Sequence, residues 1–209
     1  MEKSRFGAAV LVAGLAVVDA VFTARYRLLP AWSMYAVGIV MIGLLVANGF
    51  TSVPWLRQLE RWVVSAGTLA FFLANFVNLL NVIRLLVHNS DGMQPIAVFD
   101  SGVAIWFANF LTFTIAYWLT DAGGPDARAG GELQHSDFDF PEWSSERVPE
   151  GWRPTMFDYV FISFTTNTAF SPTEAMPISP RGKLFMMLQS SISLITIAVV
   201  AARAINTLR

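Results

Sequence analysis

The chain has 209 residues, of which 55% are hydrophobic and 14% are charged, and its mean hydropathy is +0.52. Soluble domains contain about 25% charged residues, so this composition predicts an all-α integral membrane protein. A net charge of −1 provides no basic surface for nucleic acid, and the absence of cysteine excludes disulfides, thiolate metal sites and cysteine nucleophiles.

Five stretches are long and apolar enough to cross a bilayer, for which a helix needs about 20 residues. They cover residues 6–24, 31–50, 62–87, 98–119 and 184–206. The first stretch has no convincing small-residue cleavage site, so we expect it to remain as a span rather than to be removed as a signal peptide.

The third predicted span carries three asparagines, Asn75, Asn78 and Asn81, each three residues from the next. This spacing places them along one side of a helix, and a buried amide needs a hydrogen-bond partner. The pattern therefore favours hydrogen bonds to neighbouring helices over an ion or substrate path.

A long connection between the fourth and fifth spans, residues 121–153, concentrates most of the acidic side chains in the sequence. Connections of this length without secondary structure are uncommon unless they are functional or disordered. We predict a solvated acidic loop, which would raise the local cation concentration above any pore beneath it. His135 lies beside Asp137 and Asp139, but no ligand spacing indicates a metal site.

Residues 154–180 form a segment whose helical part is too short to cross the bilayer. Pro154 is suited to a first helical turn, where Thr155 or Asp158 can accept hydrogen bonds from free amides. The aromatic pattern gives way at Thr165 to a hydroxyl-rich turn. Since irregular backbone at membrane depth must be buried in protein or line a wet cavity, the segment is either a re-entrant pore loop or a helix lying on the membrane surface.

An aromatic half-helix, a turn that begins with Thr165-Thr166, a proline and a final span resemble the pore module of the potassium-channel superfamily. The stretch from Phe138 to Asn206 also resembles a bacterial membrane-protein family of unknown function. The residues that carry this second resemblance are Phe140-Pro141, Asp158-Tyr159, Ser163-Phe164-Thr165 and Asn206. The resemblance implies a protein of the bacterial inner membrane, with three peripheral spans in residues 1–97 and a two-span pore-like module in residues 98–209. That module contains the acidic connection (121–153) and a re-entrant segment (154–180).

The predicted turn departs from a potassium filter because the sequence has no glycine between Gly151 and Gly182. A potassium filter needs glycines to aim successive carbonyls at the pore axis, so potassium selectivity is not implied. The residues in filter-like positions are Thr165, Thr166, Asn167, Thr168, Ala169, Phe170, Ser171 and Glu174. In four copies their side-chain oxygens would form a weakly selective cation site. Alternatively, the hydroxyls cap the half-helix and satisfy a buried turn.

The final span carries Gln189, Ser193 and Thr196 at spacings of four and three residues, which places them on one helix face. This mildly polar stripe either lines a cavity or allows close packing against another helix.

Together these features predict a channel-like protein that passes small cations through a homotetrameric pore, in contact with membrane lipids and without a cofactor. The alternative is a non-conducting structural or regulatory module that keeps the pore-loop shape. An enzyme is not expected, because no spacing pairs a nucleophile with a base. The ionisable residues considered for that role are Asp19, His88, Asp100 and His135. Basic residues near the span ends leave the orientation of the pore loop open.

Overall fold

The structure is a computed structural model, and it describes residues 3–22, 30–51, 53–88, 95–131, 136–146, 151–171 and 174–207. Its helices are α1 (Lys3–Phe22), α2 (Ala31–Phe50), α3 (Pro54–His88), α4 (Pro95–Thr120), α5 (Pro125–Gly130), α6 (Met156–Ala169) and α7 (Pro180–Thr207). Short 3₁₀ turns cover Asp121–Gly123 and Pro141–Ser144. Two-residue strands, β1 (Phe138–Asp139) and β2 (Met176–Pro177), pair antiparallel.

Four helices within the described residues are long and apolar enough to cross a membrane, as judged by length and composition. These segments are Trp32–Phe50, Pro54–His88, Ile96–Gly123 and Pro180–Arg203. The all-α class is therefore confirmed, and the helices support a transmembrane protein. α1 is 20 residues long and covers residues 6–22 of the first predicted span, whose residues 23 and 24 lie outside the described part of the chain. The count of five spans stays a prediction.

Two helices begin at prolines, ahead of the starts that the apolar pattern predicts. α3 begins at Pro54 rather than near Trp62, and α7 begins at Pro180 rather than near Leu184. Proline has no N–H, and the first helical position needs none, so proline starts a helix as readily as it interrupts one.

α4 is the central helix of the bundle. It contacts α1, α3, α6 and α7. Half of its most apolar window is buried, against 28% or less of the windows in α2, α3 and α7. Asn75 on α3 donates from Nδ2 to the carbonyl of Ile105 on α4 at 3.2 Å, which confirms an interhelical hydrogen bond for this asparagine.

Alternating helix directions bring several helix ends together at one end of the bundle, which we call the entry side. Arg5 at the start of α1 pairs with Glu60 near the start of α3 at 3.1 Å. Arg181 at the start of α7 donates from Nη2 to the carbonyl of Thr120 at the end of α4 at 2.8 Å. The connection between α4 and α6 lies at this same end.

Candidate functional site

α6 starts at the entry side and runs alongside α4 to about half of the length of α4. Ser163 Oγ donates to the carbonyl of Phe110 at 2.7 Å, and one turn further along α6, Asn167 Nδ2 donates to the carbonyl of Trp106 at 3.2 Å. Trp106 lies near the middle of α4. Hence α6 lies within the bundle rather than across its end.

After α6 the chain turns back to the entry side. Phe170 follows the last helical residue with φ 58°, the left-handed conformation that ends many helices. β2 then pairs with β1 of the connection, and the Ser179 hydroxyl donates to the carboxylate of Asp137. Residues 156–180 therefore enter and leave at the same end of the bundle, and we call them the α6 hairpin.

The helix continues through the stretch that the sequence predicts as a non-helical turn. α6 ends at Ala169, not at Thr165. Thr165 and Thr168 each donate a side-chain hydrogen bond to the carbonyl four residues earlier, at 3.0 and 2.9 Å. Such bonds satisfy a threonine hydroxyl within a helix. The prediction of a turn from Thr165 was wrong, and the non-helical backbone begins at Phe170.

One face of α6 is held by a buried network of side-chain amides and hydroxyls, which we call the amide network. Its members, all with 0% exposure, are Asn109 and Tyr117 on α4, Ser163 and Asn167 on α6, and Gln189 on α7. Asn109 Nδ2 donates to Asn167 Oδ1 at 2.7 Å. Tyr117 Oη donates to Gln189 Oε1 at 2.5 Å, and Gln189 Nε2 donates to Ser163 Oγ at 2.8 Å. The network therefore joins three helices through fully buried side chains.

The three residues predicted as a polar stripe on the last span are buried in this contact. Gln189 belongs to the amide network, and Ser193 Oγ donates to the carbonyl of Asn167 at 2.6 Å. Thr196 Oγ1 donates to the carbonyl of Ile192, within its own helix, at 2.7 Å. This placement corresponds to close packing, the second of the two alternatives that the sequence left open.

The residues in filter-like positions differ in burial. Thr166 and Asn167 are fully buried, and Thr165 is half-buried. The exposed members are Thr168, Ala169, Phe170, Ser171 and Glu174. In the structure as it stands, an ion or another molecule can meet this second group and the accessible part of Thr165.

The described part of the acidic connection contains helical turns and a strand, so the prediction of a loop was wrong there, and the prediction of solvated carboxylates was wrong for Asp121 and Asp137. Asp121 is fully buried, and its carboxylate accepts hydrogen bonds from Ser136 Oγ at 2.6 Å and from Tyr159 Oη at 2.6 Å. Asp137 is 3% exposed and pairs with Arg181 at 2.5 Å. These two carboxylates attach the α6 hairpin to α4 and α7. Sequence reasoning missed this role because a buried and a solvated aspartate look alike in an acidic stretch.

Three other carboxylates remain near the entrance of the α6 hairpin. Glu142, Asp158 and Glu174 line a small cleft at the entry side. Within the described ranges, no group of three acidic or histidine side chains is placed to hold a metal ion, and His135 lies outside those ranges. The three carboxylates make this cleft a region of negative charge.

No family model, curated protein or solved structure matches this chain.

Proposed function

We propose that the chain is a multi-pass inner-membrane protein that forms a homotetramer and passes small monovalent cations through a pore bounded by four α6 hairpins. In this proposal α6 is a re-entrant half-helix, and α4 and α7 are the outer and inner helices of the pore module. The observation that carries the proposal is the exposed, non-helical turn after α6, at half the depth of α4.

In a membrane, the exposed turn after α6 must be in contact with protein or water. Phe170 is 38% exposed, Ser171 is also exposed, and the preceding helix ends near the level of Trp106. Lipid tails cannot satisfy non-helical backbone, so another copy of the chain or water must lie against it. Copies arranged around an axis would supply both, since each buries part of the turn and leaves the rest facing a wet centre.

The chemistry of the exposed turn favours cations over anions. The C-terminal end of a helix carries a partial negative charge, and α6 ends beside the exposed oxygens of Thr168 and Ser171. The Thr168 hydroxyl donates its proton to a carbonyl, which leaves its lone pairs free to accept a cation. Glu142, Asp158 and Glu174 add negative charge at the entrance, which concentrates cations.

The same geometry predicts weak selectivity. Because α6 is helical as far as Ala169, the carbonyls of Thr165 and its neighbours point along the helix rather than in succession at an axis. Coordination would come from side-chain oxygens, which discriminate less strictly between ions of similar size than a row of fixed carbonyls.

The amide network favours a second candidate, a non-conducting membrane module that keeps the pore-loop shape. Buried networks of this kind give a segment a single packed position, and none of the five network members needs a pore to explain it. In this alternative the exposed turn is covered by a partner subunit and no water-filled axis exists.

Ion flux through reconstituted protein distinguishes the two candidates. Liposomes containing the protein should release potassium and sodium at similar rates and chloride much more slowly. Thr168→Val should change the cation flux by about fivefold or more, the effect of roughly 1 kcal/mol at a coordinating oxygen. Thr51→Val is the matched control, because Thr51 is also exposed and also bonds to the carbonyl four residues earlier.

Several results would contradict the channel proposal. Native mass spectrometry from lipid nanodiscs that gives a monomer or dimer would remove the fourfold pore. Absence of flux from correctly assembled tetramers would favour the non-conducting module. Equal effects of Thr168→Val and Thr51→Val would exclude Thr168 from the ion path.

A further inference from the structure

A cavity of about 680 Å³ lies at the entry side, between the first turn of α1, the end of α4, α5 and the first turn of α6. Of the described residues that line it, three are arginines, Arg5, Arg128 and Arg153, and none is acidic. The volume falls in the range that binds small organic molecules. A cavity with this lining is suited to an anionic ligand.

Two of the arginines are fixed by the fold. Arg128 is 5% exposed, and it donates to the carbonyls of Asp121 at 2.5 Å and Trp118 at 2.7 Å. Arg5 is 2% exposed, and its charge is offset by Glu60 and by Asp126, neither of which lines the cavity. Arg128 therefore contributes a rigid positive charge whose described hydrogen-bond acceptors are neutral carbonyls.

Arg153 is the arginine that is free to bind a ligand. Its side chain is exposed, and its Nη1 donates to the carbonyls of Arg128 at 2.9 Å and Ala129 at 2.8 Å. Among the described residues, its Nη2 and Nε have no hydrogen-bond partner. A guanidinium held in this way presents a fork of N–H donors, the geometry that matches a phosphate group.

Trp118 forms part of the wall of this cavity. It lines the cavity and is 1% exposed, and its indole Nε1 is buried within the protein. Trp118 therefore contributes an apolar surface beside the arginines.

The surroundings of the cavity point to a lipid rather than to a soluble ion. The candidate membrane span that contains α4 ends at Gly123, so the cavity lies at the boundary of the membrane-crossing region. Phe157, on the first turn of α6, lines the cavity and is 73% exposed. A phospholipid would place its phosphate beside Arg153 and its acyl chains along Phe157.

We propose that this cavity binds the phosphate headgroup of an anionic phospholipid. A zwitterionic headgroup would bring its own cation against the three arginines, so a headgroup without a positive charge should be preferred. This proposal does not depend on ion conduction, because the cavity is lined by the first turn of α6, whereas the amide network and the exposed turn involve later residues of the α6 hairpin.

Lipid retention measures this preference directly. Native mass spectrometry of the full chain, purified in mild detergent with equal amounts of phosphatidylglycerol and phosphatidylcholine, should show phosphatidylglycerol retained about fivefold or more over phosphatidylcholine. Arg153→Gln should abolish the preference, and Arg153→Lys, which keeps the charge but loses the fork, should retain part of it. Arg61→Gln should leave it unchanged, because Arg61 is exposed at the same side and does not line the cavity.

A thermal-stability arm separates lipid from free phosphate and covers the case in which Arg153→Gln fails to fold. Phosphatidylglycerol should raise the melting temperature of the wild type and of Arg61→Gln, and raise that of Arg153→Lys less. If inorganic phosphate alone gives the same rise and displaces the lipid, the cavity is a free-phosphate site and the lipid assignment is overturned. Equal retention of the two lipids by the wild type would overturn the site altogether, as would equal losses in Arg153→Gln and Arg61→Gln.

Discussion

Gln189 is the residue at which α4, α6 and α7 are held together. Its Oε1 accepts from Tyr117 and its Nε2 donates to Ser163, and all three side chains are fully buried. Removing one member of a buried polar pair leaves the other without a partner, which costs more than the net strength of the bond itself. Loss of the Gln189 amide would therefore destabilise the protein by more than the net strength of its hydrogen bonds.

We expect Gln189→Leu to lower the free energy of unfolding by about 1–3 kcal/mol, because Tyr117 Oη and Ser163 Oγ lose a buried partner. The measurement is denaturant unfolding in mixed micelles. Gln58→Leu is the matched control, since Gln58 is exposed and its loss should change the free energy of unfolding by less than about 0.5 kcal/mol. Equal effects of the two substitutions would show that the network does not hold the helices together.

The polar stripe of α7 was identifiable from the sequence, but its surroundings were not. A spacing of four and three residues places Gln189, Ser193 and Thr196 on one helix face. It does not say whether that face meets water or another helix, since both need small and polar side chains. The answer depends on Asn109 and Asn167, whose positions relative to α7 are set by the tertiary fold.

The sequence predicts where α6 starts but not where it ends. Pro154, Thr155 and Asp158 form a recognised helix-start pattern, and the helix begins at Met156. The end depends on residues of modest helix propensity, and propensity alone favours an early stop at Thr165. The contacts of Asn167 with α4 and α7 outweigh that preference and extend the helix to Ala169.

The start of α6 can be tested by removing its cap. Asp158 Oδ2 accepts from the Thr155 amide at 2.6 Å and from the Thr155 hydroxyl at 2.7 Å. We expect Asp158→Ala to cost about 1 kcal/mol of local stability and to raise hydrogen exchange at the amides of residues 156–162. Asp139→Ala, which removes an exposed carboxylate from the same connection, should leave that exchange unchanged. Unchanged exchange in both variants would mean that the packing of α6, and not its cap, sets the stability of its first turn.

At the scale of the whole molecule, one cluster of charges joins the two regions that the sequence divides at residues 97 and 98. Arg5 on α1 donates from Nε to both carboxylate oxygens of Glu60 on α3 at 3.1 Å, and from Nη2 to Asp126 on α5 at 2.7 Å. The side chains of Arg5 and Glu60 are 3% and 5% exposed, so salt screens their attraction poorly. The position of the connection above the α6 hairpin therefore depends on α1 and α3 as well as on α4.

Breaking this cluster should loosen the whole bundle. We expect Glu60→Gln to lower the free energy of unfolding by about 1–3 kcal/mol, the range for a hydrogen bond between charged groups, because Asp126 still compensates the charge of Arg5. Arg5→Gln should cost at least as much, since it leaves the carboxylate of Glu60 buried without a cation. The double variant should cost less than the sum of the two single variants, because each removes the same interaction.

Glu146→Gln is the control. It changes an exposed carboxylate on the entry-side connection, and it should change the free energy of unfolding little. Additive effects of Arg5→Gln and Glu60→Gln, measured by unfolding in mixed micelles, would show that Arg5 and Glu60 do not stabilise the bundle as a pair.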